Sequence, residues 1–214
     1  MIPHDPGAFT QGLEIRNGFL WESTGIYGHS TFRRTDIETG EVLDILRFPD
    51  TVFAEGFTFL DDSTVCLLTW REQTAFLLNP WTMEIEDEFY MNTEGWGICY
   101  TGEFLVQSDG SAILRFRNPT DFSVSDSISV TLNDQPQFYL NELEYLNGQI
   151  LANQWRTSRI LFINPENGNV ERFINLNNVI PATGGVLNGI AATDDGVLYC
   201  TGKNWLITLV INTL

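Results

Sequence analysis

Apolar and polar residues alternate along this chain in short runs, and nowhere do apolar residues recur every three or four positions over the length an amphipathic helix needs. Leu13-Glu14-Ile15, then Asn17-Gly18, then Phe19-Leu20-Trp21 has the order strand, two-residue turn, strand. Asn-Gly readily accepts the positive φ angles of a tight hairpin turn. The order returns at Phe57-Thr58-Phe59-Leu60, Asp61-Asp62 and Val65-Cys66-Leu67-Leu68, and again at Glu144-Tyr145-Leu146, Asn147-Gly148 and Ile150-Leu151-Ala152. It returns once more at Ile190-Ala191-Ala192, Asp194-Asp195-Gly196 and Val197-Leu198-Tyr199-Cys200.

These hairpins belong to a longer repeat. Each unit opens on a related dipeptide: Gln11-Gly12, Glu55-Gly56, Glu94-Gly95, Asn141-Glu142 and Asn188-Gly189, at intervals of 44, 39, 47 and 47 residues. A polar turn follows in the first four units, as Asp36-Ile37-Glu38-Thr39-Gly40, Asn79-Pro80-Trp81-Thr82, Asn118-Pro119-Thr120 and Asn164-Pro165-Glu166-Asn167-Gly168. A repeat of about 40 to 50 residues holding four strands is the pattern of a propeller blade. The five openings predict an all-β, five-bladed β-propeller, with residues 1–214 forming a single domain. The fifth unit, Asn188 to Leu214, lacks the polar turn and the fourth strand. Either a very short strand near Met1 to Pro3 completes it, or the last blade has three strands. Pro3 and Pro6 limit that segment, because proline cannot donate to a ladder.

Composition narrows the possibilities. The 214 residues can bury a core without disulfides, and 43% hydrophobic against 18% charged residues excludes disorder. A net charge of −17 repels phosphate backbones and anionic lipids, so neither nucleic acid nor membrane is expected as a partner. The longest apolar run, Trp205 to Ile211, is too short to cross a bilayer. Met1-Ile2-Pro3-His4-Asp5 lacks the basic and apolar segments of a signal peptide. Cys66, Cys99 and Cys200 are odd in number and have no metal-like spacing, so they are expected as small apolar core residues.

The first strand of a propeller blade lines the central channel. The opening dipeptides therefore place Gln11, Glu55, Glu94, Asn141 and Asn188 around one mouth as equivalent polar positions. Aromatic residues gather near them. Phe9 and Phe53 stand two before Gln11 and Glu55, Trp96 follows Glu94-Gly95, and Trp70 and Trp155 end the second strands of their blades. Lys203 ends the corresponding strand of the last blade and is the only lysine among eleven basic residues. Aromatic rings around a carboxyl exclude water and raise its pKa. His-Glu-x-x-His, paired Cys-x-x-Cys, phosphate-loop and Gly-x-Ser-x-Gly motifs are absent, and His4 and His29 lie beside turn residues as structural or surface groups. Any chemistry must run on carboxylate, amide, lysine and aromatic groups.

The chain closely resembles the glutaminyl-peptide cyclotransferases of the plant and bacterial type, also called glutamine cyclotransferases. The resemblance is carried in register by Ala8-Phe9-Thr10-Gln11-Gly12-Leu13, Phe53-Ala54-Glu55-Gly56, Leu68-Thr69-Trp70 and Glu94-Gly95-Trp96-Gly97. It continues through Ser108-Asp109-Gly110-Ser111, Asn141-Glu142-Leu143-Glu144-Tyr145, Ala152-Asn153-Gln154-Trp155, Leu187-Asn188-Gly189 and Thr201-Gly202-Lys203-Asn204-Trp205. One departure is Ala54, where members commonly carry glycine. The resemblance implies a five-bladed propeller that converts N-terminal glutamine of peptides to pyroglutamate and releases ammonia. It implies Glu55, Lys203, Asn141 and Gln11 as the catalytic set and Phe9, Phe53, Trp70, Trp96 and Trp155 as the substrate pocket. No cofactor and no metal are expected. The implied partner is a peptide with N-terminal glutamine, the implied state a monomer, and the implied location secreted or periplasmic. Two other readings fit the residues: a non-enzymatic propeller that binds peptides or sugars, and a metal-dependent lactonase-like propeller using Glu55, Asn141 and Asn188.

Overall fold

The structure is a computed structural model and describes residues 1–181 and 184–212. It is an all-β, five-bladed propeller, each blade an antiparallel four-stranded sheet. Blade 1 comprises Thr10–Arg16, Phe19–Thr24, Thr31–Asp36 and Val42–Arg47; blade 2 comprises Ala54–Phe59, Val65–Thr69, Thr74–Asn79 and Glu84–Tyr90. Blade 3 comprises Ile98–Tyr100, Leu105–Gln107, Ile113–Arg117 and Val124–Ser129; blade 4 comprises Leu140–Leu146, Gln149–Gln154, Arg159–Ile163 and Val170–Asn175. Blade 5 takes Leu187–Ala192, Val197–Gly202 and Ile207–Asn212 from the end of the chain and Ile2–Pro3 from its beginning, with Ile2 opposite Thr208 and Pro3 opposite Ile207. Of the two closures expected, the short N-terminal strand is the one formed. Its proline sits at the outer edge, where no neighbour needs the missing N–H.

The turns repeat for local reasons. Asn17-Gly18 and Asn147-Gly148 hold φ of 53° and 78°, and of 50° and 81°, the left-handed pair of a tight hairpin. Between the third and fourth strands, Asp36, Asn79, Asn118 and Asn164 each accept a backbone N–H two residues ahead on a side-chain oxygen. The carbonyl of each also accepts from the residue four ahead, which is Gly40, Met83, Phe122 or Gly168 at positive φ.

Apolar side chains fill the wedges between blades. Trp21, Phe32, Phe57 and Phe59 pack between blades 1 and 2, Leu68, Met91 and Phe122 between blades 2 and 3, Leu114, Leu143 and Leu161 between blades 3 and 4, and Leu151, Leu187, Leu198 and Trp205 between blades 4 and 5. The three cysteines are buried among these residues without disulfides. The wedge between blades 5 and 1 is much smaller, with Leu13, Leu20 and Ala191 at its centre.

A buried polar clasp reinforces this closing seam. The His4 ring bonds the Trp205 carbonyl of blade 5 through Nδ1 and the Glu22 carboxylate of blade 1 through Nε2, both at 2.9 Å. Thr10 donates its hydroxyl to the same Glu22 oxygen at 2.6 Å, and Arg33 stands 3.7 Å from the other. Both acceptors demand an N–H, so the ring holds both protons and is an imidazolium. Burial disfavours that charge, but the hydrogen bond and charge of Glu22 outweigh it and raise the His4 pKa. Burial also disfavours the Glu22 carboxylate, and His4, Arg33 and Thr10 outweigh it and lower its pKa.

His4→Ala should destabilise the protein by about 3 kcal/mol, because it strands a buried carboxylate. The His4 contribution is complete below the ordinary histidine pKa and is lost as pH rises through the raised folded value. The Glu22 contribution is lost as pH falls through its lowered value. Thermal unfolding of both proteins should therefore show a gap at pH 6 that narrows by pH 9.

Candidate active site

Three positions of the blade repeat build one pocket at the end of the channel. The first is the residue before the opening strand, whose carbonyl accepts the N–H of the residue just after the second strand. This bond joins Gly25 to Phe9, Trp70 to Phe53, Trp155 to Tyr139 and Lys203 to Val186, at 2.8 to 3.0 Å. The second position lies inside the opening strand, where the ladder skips at Thr10/Gly12, Ala54/Phe57, Leu140/Leu143 and Leu187/Ile190. The bulge turns Gln11, Glu55, Asn141 and Asn188 out of the regular pleat. The third position is the end of the second strand, held by Gly25, Trp70, Trp155 and Lys203.

All nine sequence-derived site residues line this pocket: Phe9, Gln11, Phe53, Glu55, Trp70, Trp96, Asn141, Trp155 and Lys203, around a cavity of about 280 Å³. Ile26 lines it as well. Ring contacts join the walls: Phe53 lies 6.3 Å from Phe9 and 5.3 Å from Trp70, and Trp96 meets Trp155 edge-on at 5.6 Å. Gly25 makes room for this packing, since a Cβ there would come 2.2 Å from the Phe53 ring. Ala54 is buried and not at positive φ, so its methyl group is accommodated beside Glu55.

One sequence expectation is corrected. Blade 3 does not use Glu94 where the other blades use Gln11, Glu55, Asn141 and Asn188. Trp96 occupies that place. Gly97 donates its N–H to the Ser108 hydroxyl, which donates onward to the Asn141 carbonyl, just as the Ser23 hydroxyl donates to the Glu55 carbonyl at the seam between blades 1 and 2. The Trp96 carbonyl in turn accepts the Gly56 N–H at 2.8 Å. A side chain at Gly97 would lie 2.0 Å from the Asn141 carbonyl oxygen, which fixes this glycine as the seam residue. Glu94 stands two residues earlier, partly exposed at the rim.

Two titratable groups, Glu55 and Lys203, line the pocket and influence each other through their charges. Glu55 is 5% exposed, and among the described residues no group donates a hydrogen bond to its carboxyl. Burial pushes its pKa well up; Lys203 opposes the rise, and Glu94 and Glu72 add to it. Burial lowers the Lys203 pKa to about 8 against the attraction of Glu55. The Lys203 ammonium lies 4.3 Å over the Phe9 ring and donates to Gln11 Oε1 at 2.7 Å. Because an ammonium only donates, the amide oxygen of Gln11 must face it, and Gln11 Nε2 turns toward Gly25. Asn188 fixes this orientation by donating to the same oxygen at 2.9 Å. The Asn141 Oδ1 is buried without a hydrogen-bond partner among the described residues.

A family model described as glutamine cyclotransferase matches residues 1–212. The chain is 37% identical over 214 residues to the glutaminyl-peptide cyclotransferase of Arabidopsis thaliana, covering 95% of this chain and 67% of that protein. The chain belongs to the glutamine cyclotransferase family. The crystal structure of Myxococcus xanthus glutaminyl cyclase superposes with a TM-score of 0.86 at 34% identity, over 99% of this chain and 95% of that one. A WD40 propeller domain of Doa1 aligns with a TM-score of 0.57 at 10% identity over 93% of this chain and 62% of that one, which shows shared fold only.

Within this cyclotransferase fold, sequence reasoning missed three features of the pocket. Ile26 sits at φ 91°, a region β-branched residues avoid, and nothing about an isoleucine in a turn announces it. The sequence offers Asn188 as a channel-mouth residue and as a candidate ligand of a lactonase-like site, but not as the orienter of Gln11, a hold that spans 177 positions. Glu94 carries the third, its grip on two pocket tryptophans.

Lys203 is the charge that lowers the Glu55 pKa, so Lys203→Met should move the carboxyl titration to still higher pH. Three of the six tryptophans line the pocket, so tryptophan fluorescence against pH reads it. The parent transition should shift upward in Lys203→Met and vanish in Glu55→Gln.

Proposed function

We propose that this pocket converts an N-terminal glutamine of a peptide to pyroglutamate, releases ammonia, and needs no metal to do so. The observation that carries this reading is Glu55, a buried carboxyl without a hydrogen-bond donor among the described residues, set among aromatic rings and facing the charge of the only lysine of the chain. Such a carboxyl has a raised proton affinity and is open to a ligand. The cavity suits one side chain and its amine, with the rest of the peptide leaving through the mouth.

The reaction is intramolecular. The neutral α-amine attacks the γ-carboxamide carbon of the same residue, so closing the five-membered ring needs little orientation beyond what the substrate supplies. As the C–N bond forms, the ammonium proton on the attacking nitrogen passes to the Glu55 carboxylate. Glu55 then returns a proton to the departing nitrogen, which leaves as ammonia while the carbonyl re-forms. Proton count and charge balance within one turnover. The negative charge that collects on the carboxamide oxygen requires donors, and Lys203 and Gln11, which both line the pocket, can supply them. Asn141 Oδ1 offers an acceptor for an N–H of the amine. Phe9, Phe53, Trp70, Trp96 and Trp155 hold the glutamine stem and keep water from the reacting centre.

The two competing readings predict different outcomes. A peptide- or sugar-binding module would retain ligand without releasing ammonia. A lactonase-like site needs several oxygen ligands converging on a cation; Asn141 and Asn188 each keep a buried Oδ1 without a partner among the described residues, so chelation is the measurement that separates the two readings.

Incubation with a glutaminyl peptide should give stoichiometric ammonia and a product lighter by one ammonia in mass spectrometry. Glu55→Gln should fold normally and lose about 10²- to 10⁴-fold in turnover. Exhaustive chelation should leave the rate unchanged. A rate lost on chelation and restored by zinc, with the fold intact, would overturn the metal-free reading.

A further inference from the structure

The rim beside Glu55 contains a carboxylate that does not point into the pocket. Glu94 Oε2 accepts the indole N–H of Trp70 at 2.9 Å and that of Trp96 at 3.1 Å. One oxygen thus joins a tryptophan of blade 2 to a tryptophan of blade 3, and both rings face the cavity. The other oxygen accepts Arg71 Nε at 3.2 Å, and the Arg71 guanidinium lies 3.7 Å over the Trp70 ring. Trp70 is therefore held at its N–H and covered on its face.

The carboxylate is itself held from behind. The Glu94 carbonyl accepts Gln107 Nε2 at 3.0 Å, and the same nitrogen donates to Thr93 Oγ1 at 3.0 Å. Gln107 is fully buried, and its oxygen is occupied by the buried Arg117. Gly95 N–H contacts the carbonyls of Thr69 and Trp70, both at 3.2 Å, which ties the loop to the end of the second strand of blade 2. On the far side of Trp96, Gly110 at φ 80° presents no side chain, and a Cβ there would come 2.6 Å from the ring. These contacts leave Trp96 one orientation.

We infer that Glu94 is a positioning residue for the reaction: it sets the spacing and orientation of Trp70 and Trp96, which clamp the substrate side chain beside Glu55. This role rests on the cyclotransferase reading of the pocket. It also has an electrostatic consequence. Glu94 is partly buried, yet the hydrogen bonds from Trp96, Trp70 and Arg71 outweigh that burial and lower its pKa, so it stays ionised. Its charge then adds to the rise of the Glu55 pKa.

The test compares Glu94→Ala, Glu94→Gln and Arg71→Met with the parent, using ammonia release from one glutaminyl peptide across pH and tryptophan emission with acrylamide quenching. Glu94→Ala should lower kcat/KM by about 10- to 100-fold, the scale of a misplaced clamp. Its emission should change and its quenching increase. Glu94→Gln keeps an oxygen that can accept both indoles and removes the charge. It should retain rate within about threefold but move the acid limb of the pH profile to lower pH. Arg71→Met should change rate and emission less than Glu94→Ala does, because both indole bonds to Glu94 remain while the cation over the Trp70 face and one exposed ion pair are lost. Melting temperatures of all variants should stay near the parent, Glu94 being partly exposed.

Glu94→Ala with parental kinetics and emission would overturn the inference. So would Glu94→Gln as impaired as Glu94→Ala, with an unmoved pH profile. If the parent releases no ammonia, the proposed function fails first, and the fluorescence and quenching comparison decides whether Glu94 holds the two indoles.

Discussion

The inner strands of a propeller splay from the channel, so adjacent blades cannot share a continuous ladder. Their buried backbone groups still need partners, because an unpaired buried N–H or carbonyl is costly. Side chains meet that demand here. Glu142 of blade 4 accepts Leu13 N–H of blade 1 and Ile190 N–H of blade 5; Glu144 accepts Ala192 N–H; and Glu14 accepts Phe59 N–H. Asn153 accepts Gly189 N–H, while Ser23 and Ser108 donate to the carbonyls of Glu55 and Asn141. Two of those carbonyls belong to pocket residues, so the seams that hold the barrel of blades together also fix the pocket floor. The carboxyls carry a corresponding burden. Burial raises the pKa of Glu14 to about 7 and those of Glu142 and Glu144 well above the ordinary range, and repulsion from neighbouring carboxylates adds to the rise at Glu142 and Glu144. Stability contributed by these groups is complete below the ordinary glutamate pKa and declines as pH rises through the raised values.

On that repeated frame, the pocket arises by substitution at equivalent places. The position after the second strand holds Gly25, Trp70, Trp155 and Lys203: one vacancy, two walls and one charge. The position in the opening strand holds Gln11, Glu55, Asn141 and Asn188, and in blade 3 Trp96, two residues before the strand, takes their place. The backbone bonds that present these side chains are nearly the same in blades 1, 2, 4 and 5, where asymmetry is a matter of side-chain identity; blade 3 differs, its opening pair lacking the ladder skip and its Trp96 N–H bonding the Ser108 carbonyl. The glycine in blade 1 exists because the Phe53 ring of blade 2 fills its space, and Gln11 is oriented because blade 5 supplies both Lys203 and Asn188. No blade contains a working site by itself.

The legibility of the sequence follows the range of the interactions. Asn17-Gly18, Asn147-Gly148 and the Asx residues at 36, 79, 118 and 164 act within four residues, and the blade order could be read from them. The closing strand was legible only as one of two possibilities, because its partners lie about two hundred residues away. Glu94-Gly95 was misread as an opening dipeptide because it copies Glu55-Gly56 in sequence. What distinguishes Gly97 is its approach to the Asn141 carbonyl in the next blade, and no local pattern records that. The nine pocket residues are legible from the blade openings and strand ends, and the family resemblance selects them from that larger set. Asn188 as the orienter of Gln11, Glu94 as the holder of two indoles and the strained Ile26 depend on contacts or backbone angles that exist only after folding.

Charge acts at two ranges in this molecule, with opposite effects on an amine. The net charge of −17 attracts a protonated peptide terminus from a distance, within the screening length of about 8 Å at physiological salt. Inside the pocket, removal of water penalises the same positive charge, as the lowered pKa of Lys203 shows for an amine already there. An arriving ammonium is thus favoured at the mouth and disfavoured at the floor, so its proton is lost to water on entry and the Glu55 carboxylate stays free for the proton released in ring closure. A neutral amine is the nucleophile that ring closure requires. In the proposed reaction the aromatic walls therefore do more than fit a side chain: they set the medium in which an amine that is cationic in water becomes reactive. This makes the orientation of the tryptophans part of the acid–base chemistry as well as of recognition, since a gap between Trp70 and Trp96 would admit water and weaken both effects.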